Sequence, residues 1–134
     1  MTVAELKADA VILACAISAG IHGALAPGHS SEGAGAASAF VASAVALAAI
    51  AVWLTARPRS RLALAAAAFT FAGLLASYAL AVTGGLPLLH PDPEPIDALA
   101  LATKAIEALG LAAAWSLLWR PVASFNPHPK GTMT

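Results

Sequence analysis

Four long apolar runs alternate with short polar connections along the 134 residues of the chain. The first extends from about Ala10 to Ala26, the second from Gly35 to Ala56, the third from Leu62 to Val82 and the fourth from Ile96 to Trp119. Each approaches or exceeds the roughly 20 residues with which an α-helix crosses a bilayer. The connections are too short to fold alone. The pattern therefore predicts an all-α, polytopic membrane protein, a four-transmembrane-helix bundle in which residues 1–134 form one domain. Pro27-Gly28 is expected to stop the first helix, and Gly84-Gly85 with Pro87 the third. In Pro91-Asp92-Pro93-Glu94-Pro95 each proline fixes its own φ and biases its predecessor away from α, which predicts a stiff, extended, acidic stretch. The fourth helix is expected to begin at or just after Pro95. Asp97 would lie in its first turn, where an acid suits the helix dipole.

Composition strengthens this reading. Apolar residues make up 60% of the chain and charged residues 10%, against roughly 45–50% and about 25% in soluble domains. The first run is followed by Ala24-Leu25-Ala26, which resembles a signal-peptidase site. However, Glu5 and Asp9 flank Lys7 ahead of it, and Pro27 would follow the cut, so the segment is read as a retained helix. Lys and Arg then set the orientation. The connection between the second and third runs carries Arg57, Arg59 and Arg61, and the tail carries Arg120 and Lys130. The other two connections have no Lys or Arg and hold Glu32, Asp92 and Glu94, with Asp97 beside them. Both termini are therefore expected in the cytoplasm of a bacterial cell, with the two acidic connections on the outer face of its cytoplasmic membrane. Trp53, Trp115 and Trp119 fall at the cytoplasmic ends, where an aromatic belt belongs.

Small residues recur at helical spacing. Ala19 with Gly23, Gly73 with Ser77, and Ser38 with Ala42 and Ala46 are the spacings through which helices approach closely in lipid. The competing explanation is a compositional bias toward alanine. No internal repeat is apparent.

The polar residues near the outer end carry the candidate chemistry. His22 lies one turn inside the first helix, His29 follows the Pro27-Gly28 break, and Glu32 comes three residues later. His90 and Glu94 lie in the second outer connection. Imidazoles with carboxylates are a ligand set for copper or zinc, so His22, His29, Glu32, His90 and Glu94 form a candidate metal site. The plainer alternatives are solvated loop residues and, for His22, a packing histidine. A haem would need axial ligands facing each other across the bundle, and only His22 lies within a helix. Cys15 is a lone cysteine, which excludes an intramolecular disulfide. It lies about 10 Å along the helix from His22, too far to share one ion.

The fourth run contains Lys104 and Glu107. Intramembrane charges are costly and normally face the bundle interior in pairs, and at i and i+3 these two share a face. Side chains lean toward the helix N-terminus, so Lys104 can reach the level of His22. A buried polar cluster of His22, Lys104 and Glu107 with Tyr78 or Ser77 is expected. It would serve as a structural clamp or as a proton or ion path.

The stretch from Ala19 to Glu32, with its His22-x4-Pro27-x-His29 spacing, resembles a motif of uncharacterised four-helix bacterial membrane proteins. Gly85-Leu86-Pro87, Glu94-Pro95 and Glu107 match further parts of that pattern, whereas Lys104 does not belong to it. The resemblance implies one shared site built from His22, His29, Glu32, Glu94 and Glu107 and brings no activity with it. There is no phosphate-binding glycine loop, nucleophile elbow or zinc-protease motif, which points away from an enzyme. A net charge of zero with a single short basic loop argues against nucleic acid. Three functions remain: a transition-metal (copper or zinc) binding protein, an accessory subunit of a larger respiratory or transport complex, and a small ion or proton transporter. The bilayer is a partner in all three, and a homo-oligomer is compatible with each.

Overall fold

The computed structural model describes residues 1–31, 34–86 and 93–119. It is all-α. Helix α1 spans Val3–Leu25, α2 Ala34–Ala56, α3 Arg61–Gly84 and α4 Ala98–Leu118, with a 3-10 turn at Gly28–Ser31. All four helices are long and apolar enough to cross a membrane. They run up and down. One end of the bundle, the histidine end, gathers the α1–α2 connection and the start of α4. The other, the arginine end, holds the Arg57–Ser60 connection. Helix α1 packs on α2 and α4, and α3 packs mainly on α4.

Local signals explain where the helices start and stop. Helix α1 begins at Val3 rather than near Ala10, about two turns earlier than its apolar run. A capping box causes this: the Thr2 side chain accepts from the Glu5 backbone N–H, and the Glu5 carboxylate accepts from the Thr2 N–H at 2.7 Å. The polar first turns thus belong to the helix although they do not belong to the apolar span. Helix α4 begins at Ala98. Asp97 is its N-cap rather than a first-turn residue, and its carboxylate accepts from the Ala100 N–H at 2.8 Å. Helix α3 ends at Gly84, where Gly85 turns the chain with φ 72°, a backbone angle that glycine tolerates best. At the arginine end, Arg61 Nη2 donates to the Leu118 carbonyl at 2.8 Å, closing the C-terminus of α4 with a cation.

The buried positions recur every three or four residues. Val11, Ala14, Ser18 and His22 form the seam of α1, and Thr103, Glu107, Gly110 and Ala114 that of α4. This is the spacing of helices that interlock side by side. The apolar core lies toward the arginine end, with Leu47 and Leu54 from α2 meeting Ala63, Ala67 and Phe71 from α3. Phe71 reaches a point where three helices converge. A Cβ placed on Gly110 would lie 2.6 Å from Phe71 Cε2 and 2.8 Å from Ala14 Cβ, so only glycine fits there. Gly23 meets Ala44 across α1 and α2 in ordinary contact. The other small-residue spacings are not packing seams of the bundle: Gly73 and Ser77 are exposed, as are Ser38, Ala42 and Ala46. Large apolar side chains also point outward, including Phe69 at 84% and Leu109 at 72% exposure. A surface of this kind suits lipid rather than water.

Candidate functional site

The fourth helix carries a carboxylate into the bundle interior. Glu107 is fully buried, about 14 Å below the start of α4. Two donors hold it. Lys104 Nζ, one turn above on the same helix, donates to Oε2 at 2.7 Å. Ser18 Oγ reaches across from α1 and donates to Oε1, also at 2.7 Å. A carboxylate with an ammonium on one oxygen and a hydroxyl on the other has both oxygens served, which is the condition for placing it inside a bundle.

His22 lies one turn above Ser18 on α1. Its Nδ1 contacts the Ser18 carbonyl at 2.9 Å and Ser18 Oγ at 3.3 Å. A carbonyl only accepts, so Nδ1 carries the proton. Nε2 then faces Glu107 Oε1 at 3.9 Å, too far for a direct hydrogen bond. The result is a linked chain of residues. His22 Nδ1 donates to the Ser18 carbonyl, the Ser18 hydroxyl donates to Glu107 Oε1, and Lys104 Nζ donates to Oε2 from the other side.

Above this chain a cavity of about 310 Å³ opens at the histidine end. All four helices line it. Ile21, Leu25, Phe40, Leu74 and Leu99 supply apolar wall, and His22, His29, Glu94, Asp97, Tyr78 and Lys104 supply polar groups. Phe40 organises the two imidazoles. His29 stacks on its ring at 4.1 Å between centroids, and His22 tilts against it at 5.5 Å. His29 Nδ1 donates to the Leu25 carbonyl at 3.0 Å, so both imidazoles tie Nδ1 to the carbonyl four residues earlier. The backbone N–H of Glu94 donates to the Ala81 carbonyl at 3.0 Å, which pins the approach to α4 against the end of α3. Lys104 Nζ sits 5.5 Å from the centroid of the Tyr78 ring, within range of a cation–π contact. The Tyr78 hydroxyl is shielded from solvent and has no hydrogen-bond partner among the described residues.

The structure thus joins His22, Lys104 and Glu107 in one network, with Tyr78 beside Lys104. His29 and Glu94 line the same cavity as His22. Glu32 and His90 lie outside the described residues, as do Asp92, Arg120, His128 and Lys130. Among the described residues, no three His, Cys, Asp or Glu side chains come together as a metal-binding group. Cys15 is buried in the apolar core, away from the cavity lining. Ser18, which links α1 to Glu107, was not anticipated from the sequence. Its only signal is its position four residues before His22. Phe40 was likewise unanticipated, because one more apolar residue in an apolar run carries no mark. Comparison with protein-family models, with curated proteins and with solved structures finds no match to this chain.

Proposed function

We propose that the protein is a multi-pass component of a bacterial cytoplasmic membrane, with both termini cytoplasmic, that binds a small ligand in the cavity at its outer end. The orientation rests on Arg57, Arg59 and Arg61 in one connection and on the absence of Lys and Arg from the other two. The ligand-binding reading rests on the cavity. Its volume of about 310 Å³ is at the lower end of the range for small-molecule sites. Mostly apolar walls with a few convergent polar groups are the usual makeup of such sites. The buried network beneath the cavity serves as its fixed floor.

The test compares the small molecules that co-purify with the wild-type protein and with Ala39→Phe in mild detergent, by mass spectrometry. Ala39 lines the cavity from α2, and a phenyl group there takes up part of its volume. A small molecule retained by the wild type and lost from the folded variant is the expected result. The same complement bound equally by both places binding elsewhere.

One observation favours a second reading, a copper or zinc ion at the same end. Metal-ligating histidines typically donate one ring N–H to a carbonyl and present the other nitrogen to the ion. His22 and His29 both tie Nδ1 in this way. Elemental analysis of untagged protein against His22→Ala/His29→Ala tests it. Near-stoichiometric metal that disappears in the double variant supports the metal, and none in either after loading removes it.

A further inference from the structure

The charges around the cavity narrow what it takes. At the floor Lys104 and Glu107 pair at 2.7 Å and cancel each other. Glu94 and Asp97 line the cavity as well. Asp97 is the N-cap of α4, so it stands about 10 Å above Lys104 along the helix axis. Among the described residues neither of these carboxylates meets a cation. The two connections at this end contain no Lys or Arg that could supply one. Two uncompensated carboxylates therefore stand toward the mouth, above a neutral ion pair.

The walls decide which kind of cation fits. Hard inorganic cations such as calcium and magnesium take about six or more oxygen ligands. Most of this cavity is apolar instead, with Ile21, Leu25, Phe40, Leu74 and Leu99 around it. An anion is opposed by the two carboxylates, and an uncharged apolar molecule leaves them unmatched. A cation that brings its own hydrocarbon meets both features. Its charge is drawn to the carboxylates, and its apolar surface is drawn out of water against the walls.

We propose that the cavity binds a lipophilic organic cation, a protonated or quaternary amine whose charge lies beside Glu94 and Asp97 and whose hydrocarbon body lies along the apolar walls. This rests on the ligand-binding reading above and goes further by naming the chemical class.

The probe is benzyltrimethylammonium, whose charge does not titrate. Neopentylbenzene has the same shape with carbon in place of nitrogen and no charge, and phenylacetate carries the opposite charge. Binding of the radiolabelled cation is measured by equilibrium dialysis in a non-ionic detergent, with protein-free micelles as the blank and the other two compounds as competitors. Saturable binding of the cation is expected, with both competitors weaker. Glu94→Gln/Asp97→Asn removes both charges, while the asparagine keeps the cap of α4. It is expected to weaken the cation about tenfold, the scale of two partly exposed ion pairs, and to bring it level with neopentylbenzene. Thermal unfolding is followed in parallel, and Glu94→Gln alone takes the place of the double variant if that does not fold. Neopentylbenzene that competes as well as the cation itself overturns the charge assignment, and this comparison needs no variant. Phenylacetate that competes better does the same. Cation binding that persists in full in the folded double variant overturns the role of the two carboxylates and the proposal with it. In each of these cases weaker binding in Ala39→Phe leaves the cavity itself standing as the site. If no saturable binding occurs, the organic-cation class is excluded, and the co-purification comparison decides the cavity separately.

Discussion

Two single residues set tight limits on this bundle. Gly110 sits where Ala14 of α1 and Phe71 of α3 both press on α4, leaving no room for a Cβ. Gly110→Ala is expected to destabilise the protein by about 1–3 kcal/mol through overpacking. Gly73→Ala is the control. A Cβ there meets nothing within 4 Å, and alanine is the better helix former by about 1 kcal/mol. Unfolding in mixed detergent micelles compares the two variants directly, and equal loss in both would refute the close approach at Gly110. Glu107 is limited by charge. Removing Lys104 alone, as Lys104→Met, leaves a buried carboxylate with one hydroxyl donor and should cost about 3–5 kcal/mol. The double variant Lys104→Met/Glu107→Met removes both charges and should recover most of that loss. If the double variant is as unstable as the single one, the pair is not the source of the penalty.

Helix ends carry the next level of information, and they show what the sequence could and could not reveal. The four apolar runs locate the four helices, because a membrane span is a length criterion and each run meets it. Where α1 begins was less legible. The hydropathy pattern stops near Ala10, whereas the helix continues to Val3 because Thr2 and Glu5 cap it. Capping is local hydrogen bonding, which hydropathy does not register. The Lys104–Glu107 pair was legible from its i, i+3 spacing inside an apolar run. Ser18 was not, because a serine in an alanine-rich helix usually bonds to its own backbone, as Ser43 does to the Ala39 carbonyl. Small-residue spacing misled for a related reason. Gly73-x3-Ser77 and Gly110 look alike in sequence, and only the facing helices decide which of them is packed. Asp97 offers a test at this scale. As the N-cap of α4 and part of the cavity wall, its change to alanine should cost about 1 kcal/mol and loosen the first turn of α4. Asp97→Asn keeps an acceptor and should cost less. Amide exchange of Ala100 in the three proteins reads this out, and equal protection in all three would show that the cap is not holding the helix.

Across the whole molecule the two ends are built differently. Toward the arginine end the helices close on Leu47, Leu54, Leu64 and Phe71, and Arg61 ties the end of α4 to α3. Toward the histidine end the helices part around a cavity, with the Glu107 network between the two regions. This asymmetry fits the proposed reading, in which the cavity end receives a ligand and faces outward. In a Cys15→Ala background, a cysteine is introduced either as Ser30→Cys at the histidine end or as Pro58→Cys at the arginine end. A membrane-impermeant maleimide applied to cells with a permeable outer layer should label Ser30→Cys at once. It should reach Pro58→Cys only after the cytoplasmic membrane is opened. The reverse pattern would turn the cavity toward the cytoplasm and overturn the proposed orientation. Neutralising Arg57, Arg59 and Arg61 together should then produce a mixed population labelled at both positions, because in the proposed orientation they supply three of the six Lys and Arg on the cytoplasmic side.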